Sequence, residues 1–189
     1  MPVLQTKENN FTVEDYFNTS EDDRVELING VFYDMASPGL SHQTISGELF
    51  VSIHDYIKNN GRECRVFAAP FDVQPDENDD TTIVVPDISV ICDKSKLTER
   101  GCVGAPDWVI EITSPSNAGQ DYLKKMNIYR KSGVRLYWIV DPMEESIAVY
   151  DFSKELPVPD AYSFDDKVNV AIYEGFSIDF AEIKRELPE

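Results

Sequence analysis

A chain of 189 residues, 42% of them hydrophobic, is long enough for a real core and too apolar to be a disordered polyelectrolyte. Its 35 acids against 17 bases give a formal charge of −18, which argues against non-specific adhesion to nucleic acid. No apolar run approaches the ~20 residues that span a bilayer, and the start (MPVLQTKENN) lacks a basic stretch followed by an apolar one, so a soluble, cytoplasmic protein with no membrane partner is expected.

In chain order, Thr12 followed by Asp15 resembles a capping box that opens a short helix over residues 13–19. Asn29-Gly30 between Arg24-Val-Glu-Leu-Ile and Val31-Phe-Tyr-Asp-Met predicts a hairpin, because a type I′ turn needs positive φ at both central residues. Ser41 is a possible cap for a longer helix in which Ile45, Leu49, Ile53, Tyr56 and Ile57 recur on one face, ending at Asn59-Asn60-Gly61. Three β-type runs follow, over residues 63–69 continuing to 73, 82–92 and 106–113, separated by an acidic loop at 75–81 and a Lys/Arg/Gly loop at 93–104. Ser114-Pro115-Ser116 breaks the last run, and a helix from about Asn117 to Lys131 stops at Gly133. Val134–Val140 is nearly all apolar, the pattern of a buried central strand. A turn at Asp141-Pro142, a strand at 146–152, edge strands at 168–173 and 176–178 and a final short helix capped by Asp179 complete the chain. This order predicts an α/β (α+β) fold, a mixed sheet flanked by helices with an N-terminal hairpin and a C-terminal β extension. A single domain over 1–189 with its core at about 24–152 is expected, since no linker or repeat is visible.

Cys64, Cys92 and Cys102 are odd in number and lack C-x-x-C spacing, and with only His42 and His54 beside them no zinc template fits, so reduced structural thiols are expected. Charge is unevenly spread. Between Val84 and Val140 eight Lys/Arg face six Asp/Glu, +2, which leaves −20 elsewhere, much of it in runs such as Asp76–Asp80 that read as solvated loops.

Two acids stand out because their neighbours are apolar. Asp87 interrupts Ile83-Val-Val-Pro-Asp-Ile-Ser-Val-Ile91, and Glu111 interrupts Trp108-Val-Ile-Glu-Ile-Thr113. A carboxylate is costly to bury unless it is paired or binds a cation. Strand alternation places Val109, Glu111 and Thr113 on one face and Trp108, Ile110 and Ile112 on the other. Two acids on successive strands suit a hard cation such as Mg²⁺ (with Mn²⁺ as a substitute), which takes one or two carboxylates plus water and substrate oxygens; the alternative is that each acid pairs with its own Arg or Lys. On a wheel of ~100° per residue, Tyr122, Met126 and Tyr129 form the sheet-facing stripe of the following helix. Lys125 lies at its edge and Lys124 on the solvent side, with Asp121 four residues before Lys125 and placed to orient it. Glu26 on the hairpin, His42 at a helix start and, more weakly, Asp72 are auxiliary candidates.

Several strings together resemble a bacterial family of putative restriction endonucleases in the PD-(D/E)xK nuclease superfamily. They are Glu26-Leu-Ile-Asn-Gly30, Ser41-His42, Pro86-Asp87, Glu111 with Ser114-Pro115-Ser116, Asp121-x₃-Lys125-x₃-Tyr129-x₃-Gly133-Val134, and Tyr137-Trp138-Ile139-Val140-Asp141-Pro142. The resemblance covers roughly residues 12–152. It implies Asp87 and Glu111 as Mg²⁺ ligands, DNA as partner and Lys125 as the lysine, displaced from the strand onto the helix because Thr113 occupies the Glu-x-Lys position. It thereby implies a Mg²⁺-dependent endodeoxyribonuclease; a non-catalytic nuclease-fold module and a hydrolase of smaller phosphodiesters stay open beside it. A homodimer through the apolar C-terminal strands is a further expectation.

Overall fold

The computed structural model describes the backbone of residues 10–20, 23–114, 120–155 and 158–188 and, within these, every side chain except those of residues 120–123. Helix α1 (Val13–Phe17) opens on the expected capping box between Thr12 and Asp15. Strands β1 (Val25–Ile28) and β2 (Val31–Asp34) form the hairpin, with Asn29 and Gly30 at φ 49° and 75° in its turn. Helix α2 (Leu40–Asn59) buries Ile45, Leu49, Ile53 and Ile57 on one face. Its cap position is Gly39, so Ser41 lies inside the first turn and does not cap.

Strand β3 (Arg65–Ala68) does not run on into β4 (Val73–Gln74), which joins a different sheet. Strand β5 is shorter than expected, Ile88–Ile91; Ile83 and Val84 make only isolated bridges, to Leu27 and Val73. Pro86 explains the late start, because it has no N–H to give to a ladder. Asp87 is therefore the residue just before a strand and not the middle of one. The expected loop at 93–104 contains a small hairpin, β6 (Leu97–Thr98) and β7 (Gly101–Val103). Then come β8 (Trp108–Ile112), α3 (Gln120–Ser132), β9 (Leu136–Asp141) and β10 (Ser146–Asp151). The expected start of α3 falls on residues outside the described ones; its end, at Gly133 with φ 97°, is as expected. Strand β11 (Asp160–Ser163) was not expected; β12 (Lys167–Asn169), β13 (Ser177–Asp179) and α4 (Phe180–Arg185, capped by the Asp179 side chain) close the chain.

Among the described residues the main sheet has the order β11-β10-β9-β8-β5-β3, antiparallel except for the parallel pair β8–β9. That pair is the one joined by a helix, α3, as a parallel connection requires. Two apolar layers cover the sheet. Trp108, Ile110 and Ile112 face α2 together with Trp138 and Val140. Val109 faces α3 with Tyr129 and Tyr137. The alternation read from the sequence is thus the alternation of the core.

The C-terminal apolar residues Val168, Val170, Ile178 and Phe180 belong to the first of these layers, so they are spent inside the chain and do not form the free face suggested for a dimer. The expectation of three reduced thiols is also corrected. Arg65 pairs with Ile91 in the β3–β5 ladder, which sets Cys64 opposite Cys92, and the two form a disulfide. Cys102 is the buried free thiol; it donates to the Gly104 carbonyl at 3.3 Å, and burial pushes its pKa up to about 11.

Leu49 is fully buried between α2 and the sheet, so Leu49→Ala should lower unfolding free energy by about 2–5 kcal/mol in urea melts. Met143→Ala, at a position 70% exposed, should stay within about 0.5 kcal/mol of the parent.

Candidate functional site

Glu111 projects from β8 toward α3, where a carboxylate with no partner would be prohibitively costly. It is 4% exposed and has partners on both oxygens. The Tyr129 hydroxyl donates to Oε1 at 2.6 Å, and Lys125 Nζ lies 3.2 and 3.3 Å from Oε1 and Oε2. Lys125 and Tyr129 are four residues apart on α3, so one helical turn supplies both donors.

Lys125 also reaches the hairpin. Its Nζ is 2.8 Å from Oε1 of Glu26, which in turn accepts the backbone N–H of Val85 at 2.7 Å. Glu26 and Lys125 are 6% and 8% exposed, so the Glu26–Lys125–Glu111 triad is withdrawn from water. Burial opposes the charge on Lys125, but the two carboxylates outweigh it and hold its pKa above the usual value. Burial raises Glu111 to about 7; Lys125 pulls it back, while the charges of Asp87 and Glu26 push the same way as burial.

Asp87 enters from the start of β5. Its Oδ2 accepts the Ile112 backbone N–H at 2.7 Å, which ties it to the residue next to Glu111. Its Oδ1 lies 3.2 Å from His42 Nε2 on the first turns of α2. Burial lowers the His42 pKa, but the hydrogen bond to Asp87 and the charges of Asp87 and Glu111 more than reverse this and leave it raised.

Of the candidate residues, Asp87, Glu111, Lys125, Glu26 and His42 therefore line one cleft of about 530 Å³. The Asp121 side chain lies outside the described ones. Asp72 is elsewhere: it accepts the Tyr16 hydroxyl at 3.0 Å and lines a different pocket. Lys124 is exposed, as its wheel position implied, yet its Nζ sits 4.9 Å over the ring of Tyr33, which does line the cleft. Tyr129 was readable only as part of an apolar stripe; its hydroxyl role depends on Glu111 being opposite. Arg24 and Tyr33 gave no signal beyond membership of the hairpin.

The acid donors are all oxygen: Asp87, Glu111 and Glu26 against a single lysine, with burial first and then the charges of Asp87 and Glu26 raising the proton affinity of Glu111. Among the described residues no group of three or more His, Cys, Asp or Glu side chains is arranged to hold a metal ion. Two carboxylates with water and substrate completing the shell is the supply Mg²⁺ accepts, and in that sense the residues fit such an ion.

The site and fold can be set beside known proteins. The Uma2 family model, described as "Putative restriction endonuclease", matches residues 13–181. A crystal structure of a "putative nuclease belonging to DUF820" from Anabaena variabilis ATCC 29413 superposes with a TM-score of 0.74 at 24% identity, covering 92% of this chain and 97% of that one. At that identity the likeness shows a shared fold. No curated protein matches. Among the described residues, no helix is long and apolar enough to cross a membrane. With the family model spanning nearly the whole chain, this protein belongs to the Uma2 family of putative restriction endonucleases.

Proposed function

We propose that this chain is a Mg²⁺-dependent endonuclease that hydrolyses DNA phosphodiester bonds in the cleft between the hairpin and α2. The observation that carries this reading is the convergence on one cleft of Asp87, just before β5, Glu111 on β8 and Lys125 on α3. Asp87 and Glu111 would hold the ion, with Mn²⁺ as a substitute. A divalent ion bound there supplies Lewis acidity toward the phosphate and a more acidic water.

The remaining roles follow from the geometry. Glu111 and Glu26 favour the ammonium form of Lys125, which suits it to donate hydrogen bonds and not to take up a proton. It can donate hydrogen bonds and stabilise negative charge that develops on the phosphate. Glu26, anchored by the Val85 N–H, is a positioning residue that aims Lys125. Tyr129 does the same for Glu111, and His42 for Asp87. Preorganised donors of this kind contribute because they need not reorient as charge moves.

Asp87→Asn and Glu111→Gln should each abolish Mg²⁺-dependent cleavage by protein purified to homogeneity, with cooperative melts retained. Calorimetric titration should show Mg²⁺ or Mn²⁺ binding in the parent and its loss in both variants. Cleavage that survives both substitutions, or no metal binding at millimolar concentration, would sink the reading.

Lys125→Met leaves two buried carboxylates without their cation. It should cost about 3–5 kcal/mol of stability, the range for a buried pair broken on one side. Cleavage should fall by about two orders of magnitude or more, the scale of losing one preorganised donor.

The raised Glu111 carboxyl also fixes a pH dependence in metal-free protein. Between its ordinary 4.5 and about 7 the folded state binds the proton that the unfolded state has released. The Glu111 contribution to stability is therefore full below that window and is lost as pH rises through it. Urea melts in chelator at several pH values should show this decline, and Glu111→Gln should flatten it.

A further inference from the structure

The cleft has two walls of different chemistry. Glu26 pairs with Tyr33 across the hairpin, and the Arg24 backbone carbonyl accepts the Met35 N–H one step further out. Residues opposite one another in a ladder share a face, so Arg24, Glu26, Tyr33 and Met35 point the same way, and all four line the cleft. The other wall is the side of α2 carrying His42, Gln43, Ser46, Gly47, Phe50 and Val51. From His42, at the acids, to Phe50 is eight residues, about 12 Å at 1.5 Å per residue. The acid cluster thus lies at one end of a trough whose far end is apolar.

Gly47 is the anomaly in that wall. It stands inside the 20-residue α2, where glycine is the poorest helix former after proline. A Cβ added there would meet nothing within 4 Å, so no packing in the protein forbids a side chain. What the glycine leaves open is the cleft itself, and bare backbone of this kind permits close approach from outside.

The charges limit what can approach. Lys125 is committed to Glu26 and Glu111. Among the described residues, Arg24 and Lys124 make no ion pair. Arg24 lines the cleft, and Lys124 reaches it through Tyr33. A protein that grips duplex DNA neutralises many phosphates, about 6–10 in strongly salt-dependent cases. Here two cations serve a chain of charge −18. Single-strand sites add to their backbone-tracking cations a surface on which unpaired bases lie, so part of the affinity does not depend on charge, and a cleft of about 530 Å³ is in the size range of small-ligand sites.

We propose that the cleft takes DNA as a single strand: one phosphate lies at Asp87 and Glu111, its neighbours turn toward Arg24 and Lys124, and a base lies against the bare backbone of α2 at Gly47, with Phe50 and Val51 beyond it. This rests on the phosphodiesterase reading above and narrows its substrate.

The test measures fluorescence anisotropy of a labelled decanucleotide, single-stranded or annealed to its complement, in Ca²⁺ so that binding is read without turnover. The expected result is single-strand binding at least about tenfold tighter than duplex binding, with Gly47→Leu weakening it by about tenfold or more. Gly47→Leu should melt at or above the parent temperature, because leucine favours helix, so lost binding cannot be blamed on unfolding. Val51→Glu, at a position 54% exposed, should weaken binding in the same direction. Equal binding of both forms, no binding of either, or unchanged affinity in Gly47→Leu would overturn the proposal. Hydrolysis of bis(p-nitrophenyl) phosphate by the parent protein in Mg²⁺, a diester without a base, reports separately on whether the phosphodiesterase reading itself stands.

Discussion

Taking the Lys125 ammonium out of water forfeits its hydration, and the loss is offset because Glu26 and Glu111 both approach it within ion-pair distance. Neither carboxylate could be buried without it. Glu26 comes from the hairpin, Glu111 from a central strand and Lys125 from the helix that follows that strand, so one cation fixes the relative placement of three elements. The Val85 N–H and the Tyr129 hydroxyl take up further acceptor capacity of the two carboxylates. What results is a rigid polar unit at the edge of an apolar core, with Asp87 tied to it through the Ile112 N–H.

This arrangement divides labour between stability and chemistry. The sheet is covered on one side by α2 and the C-terminal elements, whose helices bury only apolar residues there. The other side packs β8 and β9 against α3, and the polar unit is confined to it. The Trp108–Trp138 pair, centroids 4.8 Å apart, lies on the first side, away from the acids. Core packing can therefore be dense where nothing reacts, while the acids keep access to a cleft.

Much of this was legible in the residues because it depends on periodicity. Alternation in β8 gave the face of Glu111, and the wheel of α3 separated Lys125 from Lys124. Asn29-Gly30 gave the hairpin. Other features depend on which strands become neighbours, and no local pattern encodes that. The Cys64–Cys92 bond exists because β3 lies beside β5 in a particular register. The burial of Glu26 depends on a partner 99 positions away on α3. Strands β6 and β7, of two and three residues, are too short to show an alternation. Asp87 was found as an acid among apolar residues, but Pro86 ends the bridge region before it, a reading that needed the proline's missing donor to be weighed against the apolar run.

The position of Glu111 on its strand also bears on how the sheet finds its pairing. Glu111 stands opposite Ile139 in the parallel β8–β9 ladder. Inverting the facing of β8, as a one-residue slip does, would turn every side chain of the strand over. Such a slip would drive this carboxylate among Ile88, Trp138 and the α2 residues, away from the Lys125 ammonium and the Tyr129 hydroxyl, and would bring Trp108 and Ile110 against Lys125. An apolar residue at this position would tolerate the slipped pairing far better. The acid thus works as a register key during folding, and the correctly threaded sheet is the arrangement in which its charge has company.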